Sequence, residues 1–353
     1  MRGRESKQQP VFSYVSLEDR VPSDHPLRTV RQIVDEILGE MARRFDAVYA
    51  QSGRPSIPPE RLLRALLLQI FFSVRSERLL MQQLDYNLLF RWFAGLDIDE
   101  PVWNHSVFSK NRERLLNEAI AHEFFARVLA KAKPHLSEEH FTVDGTLIEA
   151  WASHKSFQPK GGGENDGANF HGQQRRNDTH ESRTDPDSRL YRKGGGQEAR
   201  LSYLGHVMVE NRNGLIVDAM ATTADGTAEA DAALLMAWKL RKRRPCGRIT
   251  LAADKAYDQR DLVRTLRELG VTAHVTQNTS GRRSVLDRRT TRHDSYAMSQ
   301  RKRPLIEKVF GWLKPVAGLR KVKLRGLEKI QWLVQYAAAA YNLWRMPRLT
   351  QTV

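Results

Sequence analysis

From about residue 26 to residue 135 the apolar positions recur at helical spacing. Leu27, Val30, Ile33, Val34, Ile37 and Leu38 fall three or four apart, the buried stripe of an amphipathic helix. Ser56-Ile57-Pro58-Pro59-Glu60 is a helix start, since proline is tolerated in a first turn. The run Leu62 to Phe72 is apolar nearly all round and predicts the core helix of this region. A further helix is predicted to open at Ser76, run to Phe93 and stop at Gly95. Ser106 or Ser109 then caps a shorter one that carries Lys110, Arg112 and Arg114. Short helices with basic residues on a late member fit a helix-turn-helix DNA-binding module or a plain bundle with a solvated charged face.

Near residue 140 the period changes. Phe141-Thr142-Val143-Asp144-Gly145-Thr146 reads as a buried strand. The stretch 152–200 is rich in Gly, Arg, Asn and Asp, includes two Gly-Gly-Gly runs, and reads as a mobile polar insertion. Strands are predicted at Leu201–Glu210 and, past the turn signal Asn211-Arg212-Asn213-Gly214, at Leu215–Thr223. A helix at Ala228–Arg241, a strand at Ile249–Asp254, a helix near Asp261–Leu269 and a strand at Thr272–Thr276 follow. The chain is helical again from Pro304, ending in a Gln331–Trp344 helix. The expected organisation is a helical DNA-binding domain over 1–135, then a mixed α/β domain over 136–345. In that order the strands suit a ribonuclease-H-like sheet, three antiparallel strands extended by parallel ones.

Composition adds a bias. The 353 residues hold 57 Lys and Arg against 41 Asp and Glu, a formal charge of +16. Such an excess points to a polyanionic partner, most often nucleic acid. A single cysteine, Cys246, excludes a disulfide framework and a cysteine zinc cluster, and fits a reducing cytosol. No apolar run approaches the roughly 20 residues of a membrane span, and the polar N-terminus lacks a signal-peptide core. A membrane partner is not expected.

Asp resists burial and strand interiors, yet Asp144 ends one apolar strand and Asp254 ends another. Each alone reads better as a turn or capping aspartate. As a pair on neighbouring strands they favour a cation. Glu307 is the third candidate: Leu305, Val309 and Leu313 make one stripe of its helix, while Arg303, Glu307 and Lys314 cluster within about 40° on another. It is the one acid among nine bases in Gln300–Arg325. A solvated salt-bridge ladder is the alternative. Three converging carboxylates suit Mg²⁺ or Mn²⁺, and two such ions can drive in-line phosphoryl transfer. The basic runs Arg241–Arg244 and Arg282–Arg289 read as solvated charge or phosphate contacts, and His206 as structural.

The segments Phe141–Thr146, Ala253-Asp254-Lys255-Ala256-Tyr257-Asp258 and Ile306–Lys314, with the tail Gly318-Leu319-Arg320…Arg325-Gly326, resemble DDE transposases of bacterial insertion sequences, the insertion-sequence-five group. The resemblance covers almost the whole chain. It implies a cytoplasmic, nucleoid-associated protein that binds terminal inverted repeats of double-stranded DNA as a homo-oligomer, cleaves the ends and joins the 3′-OH to target DNA. Asp144, Asp254 and Glu307 would be the metal-binding catalytic triad, with two Mg²⁺ or Mn²⁺ ions. Arg303, Lys308, Lys314, Arg320, Lys321 and Arg325 would meet DNA. Arg303 and Lys314 match the Arg and Lys of the group's Tyr-Arg-Glu-Lys signature. Its Tyr falls at 300, which is Gln here, and Tyr296 is out of register. No Trp lies within Tyr257–Ile306 to stack on a flipped base, so hairpin-type excision is not expected. A catalytically inactive repressor and a nuclease that never joins strands are the other functions this sequence allows.

Overall fold

The structure, a computed structural model, describes residues 16–48, 56–116, 118–161, 176–192, 194, 196 and 198–350. The chain opens with helices α1 (Leu17–Arg20), α2 (Pro26–Glu40), α3 (Ala42–Asp46), α4 (Pro59–Phe71), α5 (Glu77–Tyr86), α6 (Leu88–Ala94), α7 (His105–Leu115) and α8 (Glu118–Ala132). α2 buries Leu27, Val30, Val34, Ile37 and Leu38, with Pro26 in its first turn. α4 is buried on nearly every side, as its composition requires.

Two boundaries differ from the pattern. The helix expected from Ser76 through Phe93 is two helices, because the Asn87 side chain accepts from the Leu89 and Phe90 amides and starts α6 afresh. Gly95, at φ +80°, ends α6 in a left-handed turn. α7 is capped by Asn104, which accepts from the Ser106 amide, rather than by Ser106 or Ser109.

The second half holds β1 (His140–Glu149), β2 (Phe157–Pro159), β3 (His180–Ser182), β4 (Arg189–Tyr191), β5 (Arg200–Glu210), β6 (Ile216–Thr223), α9 (Ala228–Arg243), β7 (Ile249–Ala253), α10 (Arg260–Glu268) and β8 (Val271–Val275). Then come α11 (Arg288–Thr291), α12 (Asp294–Lys302), α13 (Leu305–Leu313) and α14 (Leu327–Thr350). β6, β5 and β1 are antiparallel, and β7 and β8 extend the sheet in parallel from β1. This is the ribonuclease-H-like order, with β1 central. Glu210 closes the β5–β6 hairpin by accepting from the amides of Ser137, Arg212, Asn213 and Leu215.

Phe141 and Val143 of β1, with Met208, face a core completed by α9, β7, α10 and β8. On the other face Ile148, Tyr203 and Val207 join a second core that runs into the N-terminal helices. α14 ties the two regions. It packs on α8 and β6, the Tyr336 hydroxyl donates to Leu63 carbonyl at 2.6 Å, and the Asn342 amide both accepts from and donates to the Ile216 backbone.

Within 152–200 the described residues are not featureless. β2 and β3 pair as a small two-stranded sheet, and β4 pairs with the start of β5, Arg200–Ser202. Buried Asp185 accepts from the Tyr203 hydroxyl and the Gly326 amide, while Asp187 accepts from the Leu327 amide, so this segment caps α14. The glycine-rich run 161–163 lies outside the described residues from 162 onward, as does part of 194–196. Among the described residues no helix is long and apolar enough to cross a membrane.

Candidate active site

The parallel register of β1 and β7 pairs Phe141 with Leu251 and Thr142 with Ala252. Two steps further along lie Asp144 and Asp254, at matching heights on neighbouring strands. Asp254 follows the last residue of β7, where one carboxylate oxygen accepts from the Ala256 amide at 2.8 Å and caps a tight turn. Asp144 accepts from the Gly145 amide at 2.8 Å. Both aspartates are half-buried. Desolvation, and behind it the charges of Asp254 and Glu229, push the Asp144 carboxyl up to about 7, against the Gly145 amide and Arg303, which pull it down. A carboxylic acid lifted that far is where a cation would find its ligand.

Glu307 stands in the first turn of α13 and is exposed. α13 packs on β1, and its buried side is Ile306, Val309 and Leu313, with Leu305 only half-buried. Arg303 sits between α12 and α13, and its charge bears on Asp144. The structure thus gathers Asp144, Asp254 and the Arg303 charge, with Glu307 one turn beyond Arg303. As they stand, no three His, Cys, Asp or Glu side chains among the described residues are close enough together to hold a metal ion.

The donor chemistry nevertheless fits a hard divalent cation: all-oxygen ligands on two neighbouring strands, crowded by like charge. Asp144 lies not at a strand end, as the sequence suggested, but in the middle of β1, whose ladder with β5 continues to Glu149, while Asp254 lies just past β7. Gly145, next along β1, faces the other side of the sheet: a Cβ there would lie 2.9 Å from Glu229 Oε1 and 3.2 Å from His206 Nδ1, so the glycine leaves room for the Glu229 carboxylate on the α9 face, opposite the Asp144 side chain. Glu229 is in the first turn of α9 and was not among the sequence candidates, because an acid at a helix start ordinarily needs no explanation beyond the helix dipole. Tyr257 was missed as well. It is buried and its hydroxyl has no protein partner. Burial, then Glu229, Asp144 and Asp254, raise its pKa well above the usual tyrosine range.

Of the other basic residues singled out in the sequence, Lys308, Arg320 and Arg325 are exposed and Lys314 is half-buried at the end of α13. The Lys321 ammonium is 2.7 Å from Glu149 and 5.7 Å from the Trp151 ring, so it is partly committed within the fold. Two of the basic runs do structural work. Arg241 donates to the carbonyls of Leu269 and Gly247, and Arg282 donates to the Asp258 carbonyl.

Gln300 bridges α12 to β8, accepting from Thr276 Oγ1 at 2.7 Å and donating to the His274 carbonyl. Tyr296 likewise donates to the Val275 carbonyl at 3.0 Å. At position 300 the residue therefore holds the α12 backbone to the sheet. Pro304 separates α12 from α13, and Gln300 lies on α12. Trp312 packs edge-on against Tyr341, with ring centroids 5.4 Å apart, as core rather than as a base platform.

No curated protein is similar to this chain. Among solved structures, the piggyBac transposase synaptic complex with hairpin DNA aligns over 92% of this chain and 76% of its own at 9% identity, TM-score 0.44. The Mos1 transposase paired-end complex with the left transposon end aligns over 93% of both chains at 14% identity, TM-score 0.23. Residues 15–114 match the family described as "Transposase domain (DUF772)". Residues 136–343, more than half of the chain, match "Transposase DDE domain". The chain belongs to the DDE transposase family.

Proposed function

We propose that this transposase binds the terminal inverted repeats of its own insertion sequence, cleaves the DNA ends and joins the freed 3′-OH to target DNA. Asp144, Asp254 and Glu307 are the residues that hold the divalent cations, Mg²⁺ or Mn²⁺. The observation that carries the reading is that the β1–β7 register brings Asp144, in mid-β1, level with Asp254 just past the end of β7, in surroundings that lift the Asp144 carboxyl to about 7. Bound there, two such ions supply an activated oxygen nucleophile and charge neutralisation at the scissile phosphate.

The chain's own contribution is orientation. Rigid β1 and β7 fix the two aspartates, and α13, which carries Glu307, packs on β1. Arg303, Lys308, Lys314, Arg320 and Arg325 offer cations to neighbouring phosphates, with Lys321 shared with Glu149. The helical domain over 1–135 supplies further duplex contacts, and pairing two ends requires at least two protomers. Cytoplasmic residence on the bacterial nucleoid follows from that role.

The test is a cleavage assay on DNA carrying the gene's own flanking sequence, with Mg²⁺, Mn²⁺ or EDTA. Metal-dependent nicks at both ends that vanish in Asp254→Asn and Glu307→Gln, at unchanged DNA affinity, are the expected result. Normal cleavage by either variant removes that residue from the triad. Binding without cleavage by the wild type makes the protein a repressor, and hydrolysis without a joined product makes it a nuclease.

A further inference from the structure

The chain that follows β8 is held by a carboxylate outside the triad. β7 and β8 run parallel, so the chain leaves both at one end of the sheet. There the Thr276 amide donates at 3.0 Å to the carbonyl of Ala253, the residue before Asp254. Asp258, at the far side of the turn that Asp254 caps, is fully buried. Its two carboxylate oxygens accept from the amides of Asn278, at 2.8 Å, and Val285, at 3.1 Å. Its carbonyl accepts from the Arg282 guanidinium at 2.5 Å. One residue thus closes the neck of a loop, 278–285, beside the Asp254 turn.

The loop has little of its own to bury. Thr279, Ser280, Gly281, Arg282 and Arg283 are all exposed, and the chain reaches the core only at Val285 and Leu286. Its shape is nonetheless fixed. The Gln277 side-chain amide donates to the Leu286 carbonyl at 2.8 Å, the Ser280 amide donates to the Asn278 side chain at 3.1 Å, and Gly281 turns at φ +69°. A plain solvated loop of this composition does not call for a buried carboxylate at its neck, because burying a charge is costly. No Asp or Glu occurs within 277–286. The tip instead presents two guanidinium groups and the hydroxyls of Thr279 and Ser280, the donors that meet phosphate oxygens. Arg283 has no ion pair or hydrogen bond among the described residues.

We infer that loop 278–285 is a clamp for DNA backbone phosphate beside Asp254, with Arg283 as its main contact, Arg282 as a second, and Asp258 as the positioning residue that holds its neck. This rests on the reading of the protein as one that binds DNA at Asp254 and adds a contact surface to it. Asp258 acts through the loop and touches neither phosphate nor reacting atoms.

The probe is duplex DNA carrying the gene's own flanking sequence, titrated with the full chain in EDTA and followed by fluorescence anisotropy over a range of salt. Wild type, Arg283→Ala, Asp258→Asn, the double variant and Arg289→Ala are compared, each with its circular dichroism and melting curve. Arg289, paired with Asp287 at 2.7 Å outside the loop, controls for the mere loss of a charge. In Arg283→Ala the affinity should fall about three- to tenfold, and the slope of log affinity against log salt should flatten by about one. Asp258→Asn should reproduce both changes with the arginine still present, and the double variant should bind no more weakly than Asp258→Asn. Arg289→Ala should stay within about twofold of wild type. Unchanged affinity and slope in Arg283→Ala, or an equal loss in Arg289→Ala, overturns the clamp and leaves DNA binding standing. A folded Asp258→Asn that binds like wild type overturns the positioning role. No DNA binding by the wild type overturns the proposed function and this inference together, whereas a fault in the triad shows in cleavage and not in this metal-free assay. If Asp258→Asn fails to fold, Arg283→Ala, which breaks no contact among the described residues, decides.

Discussion

In the helical region acids are answered by bases across helix–helix contacts: Glu77 by Arg112, Asp35 by Arg64 at 2.7 Å, Glu36 by Lys131 at 2.7 Å, and Glu40 by Arg127. In the sheet the reverse holds, for Asp144 feels the like charges of Asp254 and Glu229 more than the opposing Arg303. The first arrangement ties helices together with local neutrality. The second holds like charges close and is tolerable only because rigid strands and cores impose it, or because a cation relieves it. Stability and function have been assigned to different parts of one continuous structure.

The contrast can be broken most severely at the sheet. Asp254→Asn should lower metal-dependent end cleavage by about 10³-fold or more, read by strand nicking, with melting temperature nearly unchanged. The largest stability loss should come from the helical side. Arg91, 2% exposed, spreads its guanidinium over the carbonyls of Leu84, Asp85, Asp97 and Glu100. Arg91→Ala leaves those carbonyls unsatisfied and should cost about 3 kcal/mol in denaturant unfolding.

A gain is expected at Asp144. In EDTA, Asp144→Asn removes a carboxylate whose folded pKa lies above its unfolded one. That group's penalty is absent at about pH 4 and grows as pH rises toward 7, so the variant's advantage should grow over the same window. An increase on the order of 1–2 kcal/mol at pH 7, with cleavage lost, would express the trade between stability and function. A variant no more stable than wild type at pH 7 would mean the crowding is weaker than the burial suggests. Smallest is Asn87→Ala, which removes the start of α6 and should cost about 1 kcal/mol without touching Mn²⁺ binding.

Much of the fold was legible because it rests on local periodicity. The α2 stripe, the all-round burial of α4, the Asn211–Gly214 turn and the strand ending at Asp254 are each dictated within a dozen residues. What went astray locally was also local competition: Asn87 restarting a helix, and Asn104 capping α7 in place of a serine. The 152–200 stretch looked featureless because its order is borrowed. Asp185 and Asp187 find their partners at Tyr203, Gly326 and Leu327.

By itself the sequence determined the element types, the order of strands around β1, the excess of positive charge, and the two aspartates that follow apolar runs, though not that β1 would continue past Asp144 to Glu149. Those follow from the burial preferences of neighbouring residues. Only the tertiary structure decided that α14 would join the helical region to the sheet, that Gln300 would serve as a tie to β8, and that Glu229 would arrive over Gly145. The physical reason is distance along the chain. Eighty-odd residues separate Asp144 from Glu229, and no local pattern marks an acid whose significance is set by a glycine on another element.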